Sequence, residues 1–327
     1  MSIDSHDFLK FVSPEKADFI THSGKFHADE TMSTAVLLML RRKLALDENL
    51  SVPHPALEHL RESDELKLAR VDNQTLSEIK LRDDVLVYDI GGGKFDHHQL
   101  GRNGKRKNGI FYSSVGLIWR KFGKMLCSNE RVWQKIDDNL ISVIDAGDNG
   151  QFPLVANDLP TLGIGTIAEG FNPLWNENQG KARQDYCFAE AVSFMYGVLD
   201  RMLREYEAIE LARKEIIKAI RASRDGIMVL ESYLPWHEVL LDCGLEKAKE
   251  IRLVVFPSNR GGFYLEAVKD CEGKNRILLP EEWRGRDADL ATEIEGASFC
   301  HATGFIGGAD TLEHAVDMAK IAISKCA

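Results

Sequence analysis

The chain predicts a two-domain α/β protein, a parallel-sheet domain followed by a smaller α/β domain, on three observations. Short β-forming segments alternate with helical periods through residues 17–146, as in a parallel sheet with crossover helices. A long helical stretch follows at residues 182–223, and beyond residue 226 the pattern becomes short strands, turns and one amphipathic helix. The 327 residues match two domains at roughly 100–200 residues each.

Residues 17–22 are short and rich in β-formers, so they read as a strand ending in His22. After a polar loop, Met32, Ala35, Val36, Leu38, Met39 and Leu44 make residues 31–46 a buried helix, with Asp29 and Glu30 suitably acidic at its N-terminus. Leu66–Val71 and residues 84–89 are the next strands, the latter halted by Gly91-Gly92-Gly93. Helical patterns recur at residues 113–125 and 132–146. Ligands of such sheets gather beyond the carboxyl ends of the strands, where His22 and Asp89 fall. Residues 147–180 hold three prolines and six glycines without a period, so they form an irregular connection.

Phe188, Val192, Met195, Leu199, Met202, Tyr206, Ile209, Ile216 and Ile220 then recur at helical spacing, giving one helix or two joined ones. Strands are expected at residues 227–231, 252–256 and 263–268, the last two forming a hairpin through residues 258–262. Residues 311–324 close the chain as a helix. The expected division is a catalytic domain at 1–182, a helical connector at 183–225 and a C-terminal α/β domain at 226–327.

Hydrophobic residues at 44% and charged residues at 28% are ordinary values for a folded, water-exposed chain. No apolar run approaches the ~20 residues of a membrane span. The first ten residues have neither the basic start nor the apolar stretch of a secretion or transit signal, so a cytoplasmic location is expected. A net charge of −10 argues against a broad basic face that coats nucleic acid, though not against a local phosphate site. The six cysteines are dispersed with no C-x-x-C pair and read as reduced thiols, so any metal falls to histidine and aspartate.

Three clusters carry such residues: His22 to Glu30, Asp89 to Gln99 with Asp96-His97-His98, and Asp145-Ala-Gly-Asp148-Asn149-Gly150. Singly, each histidine reads as a solvated or capping side chain, Asp29 as a helix cap and the glycines as a turn. Four of the ten histidines nevertheless fall in two loops, each directly after a strand of one predicted sheet. Mixed imidazole and carboxylate ligands suit Mn²⁺, Fe²⁺, Zn²⁺ or Co²⁺, and several carboxylates favour octahedral Mn²⁺, with Mg²⁺ an alternative.

The stretches THSGKFHADE, DVLVYDIGGGKFDHHQ, YSSVGLIWRKFG, VIDAGDNG, PWHEVL and HATGFIGGADT span nearly the whole chain. In that order they resemble the MYG (melanocyte-proliferating-gene) protein family, a branch related to the DHH phosphoesterases. The resemblance implies a DHH-type fold of two α/β domains with the active site in the inter-domain cleft, and a Mn²⁺-dependent phosphohydrolase similar to 3′–5′ RNA exonucleases. It implies metal ligation by His22, His27, Asp29, Asp89 as the bridging carboxylate, His97 and Asp145, with His98 facing the scissile phosphate. DHH phosphoesterases usually carry two aspartates two apart after the first histidine. Here His27, one position later, replaces the first of them.

The expected mechanism uses two cations ~3.5–4 Å apart and a shared, acidified water attacking phosphorus in line. Asp96 and Asp148 are expected to orient imidazoles or water. Arg102, Lys105, Arg106 and Lys107, in a loop without acids directly after His98, would meet a phosphate chain. Gly304, Gly307 and Gly308 would leave backbone N–H groups for a phosphate or terminal nucleotide, with His301 adding a hydrogen bond. RNA or an oligonucleotide is the expected partner, and the oligomeric state stays open, a homodimer among the alternatives. A phosphatase for pyrophosphate or a nucleotide bisphosphate, and a non-catalytic metal- or nucleic-acid-binding protein, are the competing readings.

Overall fold

The computed structural model describes residues 8–101, 103–151 and 162–326. Contacts divide the chain into two units, Met1–Tyr206 and Glu207–Ala327. The first unit contains β1 (Leu9–Phe11), β2 (Phe19–His22), α1 (Ala28–Leu46), α2 (Ala56–Glu62), β3 (Leu66–Val71), α3 (Asn73–Glu78) and β4 (Leu86–Val87). It continues through α4 (Ser114–Phe122), α5 (Glu130–Ile136), α6 (Ser142–Asp148) and α7 (Ile164–Glu169) into α8 (Lys181–Ala222).

The strands form one sheet in the order β1-β3-β2-β4, every pair parallel. A mixed α/β fold with a parallel sheet is thus as expected. Ile20, Ala69, Val71 and Ile90 pack together as part of its core. α1 is buried almost all round from Ala28 to Leu40, so its polar residues need internal partners. Thr34 Oγ1 donates to Glu30 O at 2.7 Å, and its hydroxyl lies 2.6 Å from that of Tyr88. α8 buries the expected face, including Phe188, Val192, Met195, Leu199, Ile216 and Ile220.

Two first-unit elements are shorter than the sequence predicts. Of residues 84–89 only Leu86–Val87 joins the sheet ladder, because Asp89 turns the chain out at φ 58, its N–H bonding to Phe95 O at 3.0 Å. The helical run 132–146 is interrupted by a π-helical turn at Asp137–Ile141, where the Asp137 side chain turns to Arg106.

The second unit contains β5 (Ile227–Val229), α9 (Trp236–Asp242), α10 (Glu246–Glu250), β6 (Leu253–Pro257), β7 (Phe263–Ala267), β8 (Ala297–Cys300), β9 (Ile306–Ala309) and α11 (Leu312–Lys325). Its sheet runs β5-β6-β7-β9-β8, with β5 and β6 parallel and the remaining pairs antiparallel. β6 and β7 form the expected hairpin. Ala315, Met318, Ala319 and Ala322 are the buried stripe of α11, in the same core as Leu253, Leu265 and Trp283. Thr311 caps this helix by accepting from His314 N–H at 3.1 Å. Among the described residues no helix is long and apolar enough to cross a membrane.

The glycines expected to cradle phosphate here serve packing. Gly307 and Gly308 lie inside β9, paired on both sides. Gly304, at φ 72, already donates its N–H to His301 O at 2.8 Å. A Cβ on Gly307 would sit 2.9 Å from Leu279 Cδ1 and 3.2 Å from Phe299 O. His301 is exposed, and its Nδ1 pairs with Thr303 Oγ1 at 2.8 Å.

Gly307→Ala is therefore expected to destabilise the protein by about 1–3 kcal/mol through overpacking. Thermal denaturation measures this, and an unchanged midpoint would free Gly307 of its packing role.

Candidate metal centre

β2 ends in His22, and the loop after it brings His27 to the N-cap position of α1. The His22 Nδ1–H donates to Ser23 O at 3.0 Å, which fixes the ring and turns Nε2 inward. That nitrogen lies 2.9 Å from Glu30 Oε1 and 3.3 Å from Asp89 Oδ2. Burial opposes a charge on His22, but Asp89 and Glu30 together raise its pKa to about 11.

The loop is held by residues distant in sequence. The buried Arg70 guanidinium donates to Gly24 O at 2.8 Å, pairs with Asp185 at 3.3 Å and stacks on Phe188 at 4.5 Å. The Asn172 amide donates to Phe26 O at 2.8 Å and accepts from Phe26 N–H at 3.0 Å, immediately before His27.

Asp89 carries the second side of the cluster. Its Oδ1 is 3.2 Å from His97 Nε2, which also lies 3.1 Å from Asp148 Oδ2 and 3.6 Å from Asp29 Oδ2. One imidazole nitrogen supplies at most one proton, so three carboxylate oxygens cannot all be satisfied by it. Asp29 Oδ1 and Glu30 Oε2 are buried without any hydrogen-bond partner. Burial and the neighbouring charges of Asp89, Asp148 and Glu30 hold the Asp29 carboxyl well above the usual carboxylate range. Asp148 is raised mainly by burial, with His97 opposing. Burial also pushes Asp89 upward, but His22 and His97 bring it below its ordinary value.

Four carboxylates and four imidazoles therefore meet at close range. Four overlapping triads each offer ligand atoms within 4.8 Å of one another: His22, His27 and Glu30; Asp29, Glu30 and Asp89; Asp89, His97 and His98; and His27, Asp29 and Asp148. This donor set fits divalent cations, since hard oxygens and borderline imidazoles are the ligands such ions take. Asp89 belongs to two of these triads, as do His27, Asp29 and Glu30.

The imidazole of His98 is 60% exposed and bonds through Nδ1 to Asp96 Oδ1 at 2.8 Å. Asp96 also accepts from the N–H groups of His97 at 2.7 Å, His98 at 3.1 Å and Gly92 at 2.7 Å. Burial raises its pKa, but His98 and these N–H groups outweigh that and hold it at about 2. Asp96 thus fixes the turn that presents both histidines.

Two expectations are corrected by this geometry. Asp145 is outside the cluster: its Oδ1 accepts from Ser113 N–H at 2.9 Å and Ser113 Oγ at 2.8 Å, and its Oδ2 from Arg106 Nε at 2.7 Å. The carboxylate that reaches His97 is Asp148, one helical turn later. A Cβ on Gly116 would collide with the Asp145 carboxylate, so α4 approaches Asp145 closely at a glycine. Arg106 is not part of an open basic loop. It is buried, forked onto Asp137 and stacked on Tyr112 at 4.9 Å. Lys105 and Lys107 are exposed on that loop, and Arg102 lies outside the described residues.

Glu30, Arg70 and Asn172 are the residues sequence reasoning misses. Glu30 had a signal, an acid placed to bond the His27 N–H, which it does at 2.9 Å. Asn172, from a segment without a period, had none.

Residues 18–323 match a family model for MYG1 exonucleases, described as Uncharacterised protein family (UPF0160). A MYG1 protein of Saccharomyces cerevisiae is 32% identical, the alignment covering 97% of this chain and 98% of the relative. One from Dictyostelium discoideum is 30% identical over 91% and 94%. The MYG1 exonuclease of Homo sapiens is 26% identical over 93% and 85%. No solved structure matches the chain.

Glu30→Gln is expected to act in opposite directions on two readouts. Relief of like-charge repulsion raises the melting temperature of the metal-free protein, whereas calorimetric Mn²⁺ affinity falls by about 10-fold or more. Equal affinity in both proteins would remove Glu30 from the ligand set.

Proposed function

The chain belongs to the MYG1 exonuclease family, and from that premise we propose that it is a divalent-metal-dependent phosphodiesterase that shortens RNA or short oligonucleotides, with DHH-type chemistry and 3′–5′ polarity. The observation that carries this reading is the convergence of Asp29, Glu30, Asp89 and Asp148 on His22, His27 and His97 with buried carboxylate oxygens left unpartnered. So dense a set of carboxylates is costly to bury without cations to offset it.

His22, His27, Asp29 and Glu30 would hold one ion and His97, Asp148 and Asp29 a second, with Asp89 between them; Mn²⁺ suits this set best. Divalent cations in such a site lower the pKa of a coordinated water and neutralise charge developing on phosphoryl oxygens. The protein's own contribution is to hold its ligands rigidly. His22 is fixed by Ser23 O, the turn bearing His97 and His98 by Asp96, and Asp29 by the Ser114 N–H at 3.2 Å. With its Nδ1 engaged by Asp96, the exposed His98 has Nε2 left to meet a phosphoryl oxygen. Hydrolysis then consumes one water and yields a phosphomonoester and a free nucleoside hydroxyl. Lys105 and Lys107, exposed on the loop that follows His98, would meet the phosphates of a longer strand.

Purified protein with Mn²⁺ and 5′-labelled RNA is expected to give a ladder of shortened products, abolished by EDTA and restored by Mn²⁺. Asp89→Asn and His97→Ala should each lower turnover by about 100-fold or more with an unchanged circular dichroism spectrum. Turnover that survives either change would end the metal-dependent reading. The double change Lys105→Ala/Lys107→Ala is expected to reduce the slope of log affinity against log salt for single-stranded RNA by about 1–1.5. An unchanged slope would leave that loop outside the RNA path.

A further inference from the structure

His22 and the pair His97–His98 are placed by bonds from within their own segments, to Ser23 O and to Asp96. His27 is placed from elsewhere. The residue before it, Phe26, is fully buried and meets Phe188 edge-on, with ring centroids 5.5 Å apart. The Phe26 N–H donates to Asn172 Oδ1 at 3.0 Å, and the Phe26 carbonyl accepts from Asn172 Nδ2 at 2.8 Å. A paired strand residue makes the same two-way exchange. Here one side chain, 146 residues away in sequence, makes it.

The Asn172 amide has a third bond. Its Nδ2 also donates at 2.9 Å to Glu169 O, the carbonyl of the last residue of α7. One acceptor and two donors are thus used at once, a set that asparagine offers and an ionised aspartate does not. The amide ties the end of α7 to the loop in front of α1. α7 itself is thinly packed, with Ala168 the one buried residue of its six. Glu169 pairs with Lys25 of the same loop at 3.0 Å, an exposed contact of small worth, and Phe171 meets Phe194 of α8 at 5.6 Å. Segments with so few buried apolar groups open at low free-energy cost.

We propose that Asn172 is a positioning residue of the metal centre, and that docking of residues 163–172 and binding of a divalent cation at His27 are one linked equilibrium joined by its amide. His27 enters two ligand triads, one with His22 and Glu30 and one with Asp29 and Asp148. Displacing its backbone therefore disturbs both. A cation held by His27 keeps Phe26 in place and favours the docked segment, and the docked segment keeps His27 in place for the cation. Linkage makes the two effects equal in size. None of residues 163–172 belongs to a triad, so protection of that segment by a cation reports the coupling. This rests on the metal-binding reading above, which it extends to a segment that carries no ligand.

The test uses the full chain with Mn²⁺ as the probe, followed by calorimetry and amide hydrogen exchange. In the wild type, Mn²⁺ is expected to slow exchange in peptides covering residues 164–172 as well as in those covering 89–98. Asn172→Asp has nearly the same size but no donor for Phe26 O or Glu169 O. It should weaken Mn²⁺ binding by about 10-fold or more and, at saturating Mn²⁺, abolish the slowing at 164–172 while sparing that at 89–98. Asn172→Ala leaves room for water at the Phe26 groups and carries the same comparison if Asn172→Asp does not fold. Lys25→Ala removes only the exposed pair and should change Mn²⁺ affinity by less than about 2-fold.

Unchanged Mn²⁺ affinity in the Asn172 variants, or protection of 164–172 that survives them, overturns the role of Asn172 while the metal-binding reading stands. A lowered melting temperature with that result marks the residue as structural only. Absence of Mn²⁺-dependent slowing at 164–172 in the wild type overturns the coupling as well, and an equal loss of affinity in Lys25→Ala assigns it to the ion pair instead. If the wild type takes up no Mn²⁺ in the calorimeter, the metal-binding reading fails and the coupling with it.

Discussion

The constraint on which the first unit depends is the crowding of four carboxylates, three of them buried and Asp148 partly so, into one pocket. Like charges this close in a poorly hydrated interior repel strongly, and each needs a partner, a proton or a cation. The surrounding structure supplies part of the compensation. His22 and His97 face Asp89, and the N-terminus of α4 meets Asp29 through Ser114 N–H. That helix end brings a partial positive charge. What remains is the unsatisfied portion on Asp29 and Glu30, which a divalent ion bound at this point would offset.

A second layer of interactions keeps this arrangement from relaxing. Asp145 and Arg106 hold no ligand of their own, yet they determine where ligands stand. Arg106 fastens the segment that follows His98 to the π-helical turn at Asp137 and to Asp145, and Asp145 in turn fixes Ser113 at the start of α4. Ser114, the next residue, touches Asp29. The path from the basic loop to the first ligand segment is thus a continuous chain of hydrogen bonds. Buried ion pairs of this kind bring little net stability but strongly penalise the loss of one partner. They suit a scaffold that must hold one geometry.

The parallel sheet, most helices and the β6–β7 hairpin were legible because each rests on local pattern. So were His22, Asp89 and His97, which end strands or follow a glycine turn. What was illegible depends on distance or on backbone direction. Asp145 and Asp148 are three residues apart, and spacing alone gives no means of telling which faces the cluster, since the π turn that precedes α6 sets its rotation. Arg106 reads as one more charge in a solvated loop until Asp137, 31 residues away, is seen to meet it. Gly307 and Gly308 look like an anion cradle, but a strand paired on both sides has already spent its N–H groups.

The backbone conformation of Asp89 narrows the choice of residue at the pivot of the site. A φ of 58 lies in the left-handed region, which asparagine and aspartate enter more readily than most side chains. Glutamate, one methylene longer and equally able to bind a cation, lacks the short side chain that eases this turn and would carry a penalty of about 1–2 kcal/mol. Chemistry asks for a carboxylate at that point, and the dihedral angle asks for a short one. The set of residues meeting both demands contains aspartate alone, so the turn that lifts the chain off β4 also acts as a filter on which amino acid can stand there.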